Sequence, residues 1–496
     1  MKNEHPVFVV VDLGAESGRV ICIVLQKGRL SLDEVARFQN TPLTESGQSH
    51  WNMPYLWEQI KSGISQAGKK YGDRLASIGV DTWGVDFGLL DADGNLLENP
   101  WHYRDHRTDG MMEIAFGKVS RQNIFEATGI QFMQLNTVYQ LLAMVEKDSE
   151  VLQLARTLLL MPDLVHHFLC GSLTSEFTNA TTTQCYNPRK NDWDRELLAL
   201  LKIPLHIFPP VVQPGSQIGT ILPEVAEALG ISEIPVIASA THDTGSAIAA
   251  VPMIDDKSVY LSSGTWSLMG IEVKQPVITG KSLLYNFTNE GGVEGTFRLL
   301  KNISGLWLLQ ECRRTWKETY EGDFSYEELT AMAETAVPFY TMINTADQRF
   351  LAPDNMPLAI RRYCKETGQP VPEGIPQIVR CILESLALEY RWVIDRLEEL
   401  CGHPLEKIHI IGGGSHNRLL NQLTADATGR RVRTGPFEAT AIGNALVQAK
   451  SLGYLASIAA GRDLVRRSFA GESYTPSNSS EWNALFETYQ EIRKEI

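Results

Sequence analysis

At 496 residues the chain exceeds what one hydrophobic core usually serves, so two or three domains are expected. A hydrophobic fraction of 43%, with 21% charged residues and only 39 Gly and 23 Pro, excludes fibrous and low-complexity classes. Forty-five Lys plus Arg against 59 Asp plus Glu leave a net charge of −14, which argues against a nucleic-acid partner, whose affinity rests on neutralising phosphates.

In chain order, residues 7–11 form an apolar strand that ends in Asp12-Leu-Gly-Ala-Glu-Ser-Gly-Arg19 and is followed at once by a second strand, 20–25. Residues 78–80 run into Asp81-Thr-Trp-Gly84, a further strand covers 85–90, and Asp91-Ala-Asp-Gly94 is a hairpin signal. Residues 136–145 and 152–160 have helical spacing, and the Pro-rich stretch 204–214 reads as surface loop. A buried strand over 234–240 ends at Thr241-His-Asp-Thr244, and a tightly packed helix begins at Gly245, near which the domain boundary is expected. The opening hairpin is then echoed. The strand 258–261 runs into Ser262-Ser-Gly-Thr265 and continues as a strand over 266–273. A long amphipathic helix follows over 376–400, with Pro376 suited to its first position. Next come a strand at 408–411, the turn Gly412-Gly-Gly-Ser-His-Asn417, a helix to about Thr428 and a small-residue helix over 435–450.

No apolar run approaches the ~18 residues of a membrane span. The start, Met1 to Pro6, lacks the apolar core of a signal peptide and the end carries no lipidation box, so a cytoplasmic protein with no membrane partner is expected. The seven cysteines are odd in number and contain no Cys-x-x-Cys, which favours buried reduced thiols over disulfides or a zinc knuckle. His102 and His106 stand four apart without a zincin glutamate, so metal ligation by them is not expected.

Strand-to-turn glycines direct the search for chemistry to nucleotides. The Walker pattern fails because Gln275 stands where Gly280-Lys-Ser282 would need a glycine. The dinucleotide fingerprint at Gly412-x-Gly414 fails at Asn417. The two matched hairpin turns remain. Successive N–H groups in such turns form an anion-binding concavity, and Ser17, Ser262, Ser263 and Thr265 add hydroxyl donors. Asp12 closes an apolar strand beside the first turn, where a carboxylate either holds Mg²⁺, directly or through water, or caps its own turn. Asp243, at a strand end before a helix, is either an N-cap or a general base that accepts a proton from an attacking hydroxyl. A chaperone or filament of the actin type would keep the two turns without needing Asp243. A nicotinamide-dependent dehydrogenase would instead be built on the Gly412 turn.

These motifs, with Met161-Pro-Asp163, Thr178-Asn-Ala-Thr-Thr-Thr183, His242-Asp-Thr244, Lys301-Asn302 and Gly305-Leu-Trp307, stand in the order found in the FGGY carbohydrate kinases, and the chain resembles that family from about residue 7 to about residue 450. The resemblance implies an α/β fold of two ribonuclease-H-like, actin-like ATPase domains with an interdomain active-site cleft. An N-terminal domain over 1–245 would carry the sugar site and the first phosphate turn, and a C-terminal domain over 246–496 the nucleotide. It implies ATP as phosphoryl donor, Mg²⁺ as cofactor with Asp12 acting on it, and a small-molecule ketose as acceptor, with L-rhamnulose phosphorylated at its 1-hydroxyl. By the same resemblance Ala15, Glu16, Ser17, Gly18 and Arg19 would bind ATP phosphates, as would Thr265, while Gln310 and Gly413 would lie against the nucleotide. Gly84, His242, Thr244 and Asn302 would contact the sugar, and Asp243 would be the catalytic proton acceptor. Where the family usually has hydroxyl residues this chain has Ala15-Glu16, and no catalytic role is assigned to Glu16.

Overall fold

Val7 to Val11 are five successive branched or aromatic apolar residues, the pattern of a strand covered on both faces. In the computed structural model, which describes residues 5–253, 255–320, 322–351, 353–477 and 480–493, they lie in β1 (Val7–Leu13), whose residues are all buried. Met1 to Glu4, part of the start examined above for a signal peptide, lie outside the described residues. β1 is followed by β2 (Ser17–Gln26), β3 (Arg29–Gln39), helix α1 (Met53–Tyr71), β4 (Leu75–Thr82), β5 (Ser216–Thr220), β6 (Pro235–Ala238) and helix α2 (Asp243–Ala250). These strands form one sheet of order β5-β6-β4-β1-β2-β3. β2 runs antiparallel to β1 and β3, while β4 is parallel to both β1 and β6.

The second half repeats that plan with β7 (Ser258–Ser263), β8 (Ser267–Val273), β9 (Phe297–Ile303), helices α3 (Trp307–Thr319) and α4 (Gly374–Cys401), β10 (Lys407–Ile411), helix α5 (Arg418–Thr428), β11 (Arg431–Thr434) and β12 (Ser473–Tyr474). Within a seven-stranded sheet their order is β9-β8-β7-β10-β11-β12, and a further short strand, Thr288–Gly291, lies outside β9 at the edge. β7 is antiparallel to β8 and parallel to β10, which is parallel to β11. Each sheet therefore reads third, second, first, fourth from its meander side, with the second strand reversed, which is the ribonuclease-H-like arrangement. The hairpin echo in the sequence is the β1–β2 and β7–β8 pair of this repeated plan.

The compact units are not two consecutive stretches of chain. One comprises Met1–Pro252, Glu272–Leu299 and Ala439–Phe469; the other comprises Met253–Ile271, Leu300–Glu438 and Ala470–Ile496. A division into 1–245 and 246–496 misses this, because helix α6 (Ala439–Ser451) packs into the first unit's core. A Cβ added at Gly443 of α6 would stand 1.7 Å from the carbonyl oxygen of Ser246 on α2, so the two helices touch backbone to backbone.

Three local expectations are corrected. Residues 152–160 are not one helix: a short helix ends at Leu154, and Thr157–Leu160 is a strand paired antiparallel with Phe87–Leu90. A short apolar run fits either element, and cross-strand pairing decided it. Pro376 is not the first residue of α4, which begins at Gly374; it is still in the first turn, where the N–H it lacks has no intrahelical partner. The helix expected from residue 435 begins at Ala439, after Pro436, whose ring disfavours helical geometry in the residue before it. The cysteines are all free, and five of the seven are buried. No described helix is long and apolar enough to cross a membrane.

Candidate active site

The parallel β1–β4 register sets Asp12 beside Asp81 at the strands' C-terminal ends, the edge where open α/β sheets bind ligands. Asp12 is paired with Arg19, its antiparallel neighbour on β2. Asp81 is fully buried. Its Oδ2 accepts a 2.6 Å hydrogen bond from Asn444 Nδ2 of α6, and its Oδ1 has no partner among the described residues. Burial, and after it the Asp12 charge, hold the Asp81 carboxyl well above the usual carboxylate range.

Thr82 N donates to Thr241 O at 2.9 Å, which brings the segment after β6 alongside the end of β4. Thr241 is clamped by the buried carboxylate of Glu176, which accepts from its N–H at 3.0 Å and its hydroxyl at 2.7 Å. Glu176 also takes the Thr178 hydroxyl, and Thr178 Oγ1 in turn accepts from His242 N at 3.1 Å. Burial pushes the Glu176 carboxyl up to about 7, against the pull of these donors. His242 is the N-cap residue of α2, with no side-chain cap bond, and Asp243 is the first helical residue, so Asp243 is not the N-cap. Its Oδ1 accepts from Thr244 N and Thr244 Oγ1 and faces His242 Nε2 at 3.4 Å. Its Oδ2 has no hydrogen bond among the described residues, and the side chain keeps 34% exposure. Burial raises the carboxyl, helped by Asp12 and opposed by His242 and the Thr244 N–H. One oxygen is thus oriented while the other stays open, the arrangement a proton acceptor needs.

Gly84 stands two residues beyond Thr82 in a tight turn. A Cβ on it would meet Thr182 Oγ1 at 2.9 Å. Val85 has φ +71°, a conformation a β-branched residue rarely adopts. It is held there by Thr137 Oγ1 on its carbonyl at 2.6 Å and by its own N–H on Thr182 Oγ1 at 3.3 Å. The buried Asp86 anchors the turn's far side. Its Oδ2 accepts from Trp51 Nε1 at 2.6 Å and Trp83 Nε1 at 3.0 Å, and its Oδ1 from Gln140 Nε2 at 2.9 Å. Burial moves this carboxyl up to about 6. Strain held by so many fixed contacts marks a pre-organised turn.

In the turn between β1 and β2, Asn40 Nδ2 donates to Gly14 O at 2.9 Å and Asn40 N to Glu16 O at 3.0 Å, fixing the loop from behind; the Glu16 residue is exposed. In the second unit, Leu306 N and Trp307 N donate to Gly264 O at 2.9 Å and Thr265 O at 3.0 Å, so the Gly305-Leu-Trp307 turn braces the turn between β7 and β8. Gly305 is required there, because a Cβ would stand 2.5 Å from Ser267 Oγ. Gln310, one turn into α3, has a buried Oε1 without a hydrogen-bond partner among the described residues. Gly412, at φ +81°, and Gly414 pack against Ser263, while Gly413 between them faces open space. Asn417, which breaks the dinucleotide fingerprint, caps α5 by accepting from Leu420 N at 2.9 Å.

Asp12, Arg19, His242, Asp243 and Thr244 are thus gathered in the first unit, with Gly84 in the turn that follows the paired Thr82. Thr265, Gln310 and Gly413 are gathered in the second, and Asn302 stands half-buried on β9. Sequence reasoning missed Glu290 and Arg298, which touch His242, Asn444, which holds Asp81, and Glu176, which clamps Thr241 and Thr178, all from distant segments. Only Arg298 gave a signal, as a lone cation in the apolar run Phe297-Arg-Leu-Leu300.

The model of the N-terminal domain of the FGGY family of carbohydrate kinases matches residues 7–250, and that of its C-terminal domain matches residues 259–452. A rhamnulokinase of Bacteroides thetaiotaomicron is 47% identical over 479 residues, covering 97% of this chain and 98% of its own. Rhamnulokinases of Oceanobacillus iheyensis and of Pectobacterium carotovorum subsp. carotovorum are 42% and 43% identical, over 93% and 98% of this chain and 96% of each relative. Among solved structures, gluconate kinase of Lactobacillus acidophilus superposes with a TM-score of 0.82 at 20% identity, covering 99% of this chain and 98% of its own. Plasmodium falciparum glycerol kinase with ADP superposes with a TM-score of 0.77 at 15% identity and the same coverage.

Proposed function

Because the chain belongs to the FGGY family of carbohydrate kinases, we propose that it transfers the γ-phosphoryl group of ATP to the 1-hydroxyl of L-rhamnulose, giving L-rhamnulose 1-phosphate and ADP in the catabolism of L-rhamnose. The observation that carries the chemistry is the Asp243 carboxylate, with Oδ1 tied to Thr244 and Oδ2 open at the start of α2. The identity of 47% to a rhamnulokinase across nearly the whole chain supports the substrate.

In this scheme Asp243 Oδ2 takes the proton of the sugar hydroxyl as it attacks. Phosphoryl transfer passes through a loose transition state with charge spread over the transferred oxygens, so positioning and electrostatic stabilisation supply most of the rate. The braced turns at Ala15, Glu16, Ser17, Gly18 and Arg19 and at Thr265 would hold ATP phosphates on backbone N–H groups, with Gln310 and Gly413 along the nucleotide. His242, Thr244, Gly84 and Asn302 would hold the sugar. The raised Asp243 carboxyl suits this use, because a base with a higher affinity for protons accepts one more readily.

Among the described residues no three His, Cys, Asp or Glu side chains are gathered for a metal ion. Asp12 would be the carboxylate that meets Mg²⁺, which keeps several waters and binds through one or two carboxylates plus substrate phosphates. When bound, the ion would neutralise charge on the phosphates; the chain's own part is to hold the Asp12 carboxylate against Arg19. We place the enzyme in the cytoplasm, where ATP is supplied.

The test is ADP release with ATP and a panel of L-rhamnulose, L-fuculose, D-xylulose and glycerol. L-Rhamnulose is expected to give the highest kcat/KM, with side activity on L-fuculose, because small differences in a sugar pocket are worth only ~1–3 kcal/mol. A large preference for xylulose or glycerol overturns the substrate.

A further inference from the structure

Arg298 of β9 is fully buried; Nε and Nη2 of its guanidinium meet two neighbours and a backbone carbonyl, while Nη1 has no hydrogen-bond partner among the described residues. Nε donates to Gly291 O at 2.9 Å, while Nη2 lies 3.1 Å from Glu290 Oε2 and 3.0 Å from His242 Nδ1. A guanidinium has only donors, so His242 Nδ1 must be the acceptor in this contact. The ring then carries its single proton on Nε2, the nitrogen that faces Asp243 Oδ1 at 3.4 Å. Glu290 Oε2 also lies 3.3 Å from Nδ1, and without the guanidinium that carboxylate would draw a proton onto it.

We propose that Arg298 is a positioning residue for phosphoryl transfer: by donating to His242 Nδ1 it keeps an imidazole proton on Nε2, the nitrogen facing Asp243 Oδ1, and Oδ2 is left to receive the sugar proton. The proposal rests on Asp243 being the proton acceptor. Glu290 balances the buried guanidinium and becomes harmful once Arg298 is gone. An imidazolium beside Asp243 would stabilise its carboxylate and make it a weaker base. Among the described residues the charged groups against the His242 ring are Asp243 on its own helix and Glu290 and Arg298 from the segment that includes β9, and Glu176 reaches the His242 N–H through Thr178.

The test uses full-length protein with ¹⁵N-labelled histidine, and kcat over pH 6 to 9 on whichever ketose the parent phosphorylates. The His242 ring in the parent is expected to show an unprotonated Nδ1 and a protonated Nε2 without any substrate present. Arg298→Met is expected to lower kcat roughly 10–100-fold near pH 7 with KM for ATP nearly unchanged, the deficit shrinking as pH rises. Adding Glu290→Gln to Arg298→Met should restore most of the loss and remove its pH dependence, and Arg298→Lys should keep more activity than Arg298→Met. A protonated Nδ1 in the parent, or an Arg298→Met deficit equal at every pH, overturns the proposal. If Arg298→Met does not fold, the tautomer in the parent decides. If the parent phosphorylates no ketose, the functional reading fails separately, and the ring measurement still stands.

Discussion

Replacing Gly443 with alanine puts a methyl group where the α2 backbone already is. The added Cβ would lie 1.7 Å from Ser246 O, 2.7 Å from Ser246 C and 3.2 Å from Ala250 N. Carbon and oxygen settle at ~3.3 Å, so the helices must part by roughly 1.5 Å, and a backbone carbonyl cannot swing aside as a side chain would. Overpacking costs ~1–3 kcal/mol, the upper end of which applies to a clash with backbone, and ~1 kcal/mol from better helix propensity offsets part of it, for a net loss of about 2 kcal/mol. At ~2–4 °C per kcal/mol, the melting temperature should fall by roughly 4–8 °C. The consequence extends to catalysis, because Asn444, the next residue, holds Asp81 at 2.6 Å, and α2 begins with Asp243. A shift of ~1 Å at a reacting group costs about 10²-fold in rate, so kcat should drop well beyond any loss of folded protein. The assay is thermal unfolding with steady-state kinetics at a temperature where the variant is folded. Gly117 serves as control: it lies in the helix Met111–Lys118 with nothing within 4 Å of an added Cβ, and Gly117→Ala should be neutral or stabilising. A Gly443→Ala protein with parental melting temperature and kcat would refute the close approach of α2 and α6.

Two further outcomes follow. Asp12→Ala should lower activity most at low Mg²⁺ and less at high Mg²⁺, and an enzyme equally active in excess chelator would contradict a role for Mg²⁺. Glu176, raised from 4.5 to about 7 in the fold, contributes stability that is fully present below pH ~4.5 and lost as pH rises through 7, on the order of 3 kcal/mol. Glu176→Gln cannot ionise, so denaturant melts should show the parent losing ground to it between pH 5 and 8, and parallel pH curves would contradict the buried charge.

What could be read from the sequence was what acts over short distances. Asp12 and Asp81 stood out because a carboxylate interrupts an apolar strand, and they prove to be neighbours across one parallel register. The β1–β2 and β7–β8 hairpins were visible as apolar runs on either side of polar glycine turns, and they are repeated in the doubled sheet plan. Residues 152–160 read as helix and prove to end in a strand, because a run of leucines satisfies both periods until a partner strand is known. Asn444, Glu290 and Arg298 act through contacts across long sequence separations, and α6 joins the first unit after an excursion of nearly 140 residues through the second. No local pattern encodes such closures, since they depend on which helix face meets which strand end.

The claim on which the mechanism turns is that Asp243 accepts the sugar proton. Asp243→Asn keeps an oxygen for Thr244 N–H, Thr244 Oγ1 and His242 Nε2, and places an amide where Oδ2 stood open. It also removes a carboxylate that burial disfavours, so the fold should be no less stable. Measured with saturating ATP and ketose, kcat should fall by ~10²–10⁴ while calorimetric binding of both substrates persists. A kcat within about threefold of the parent would contradict the account and move the base elsewhere.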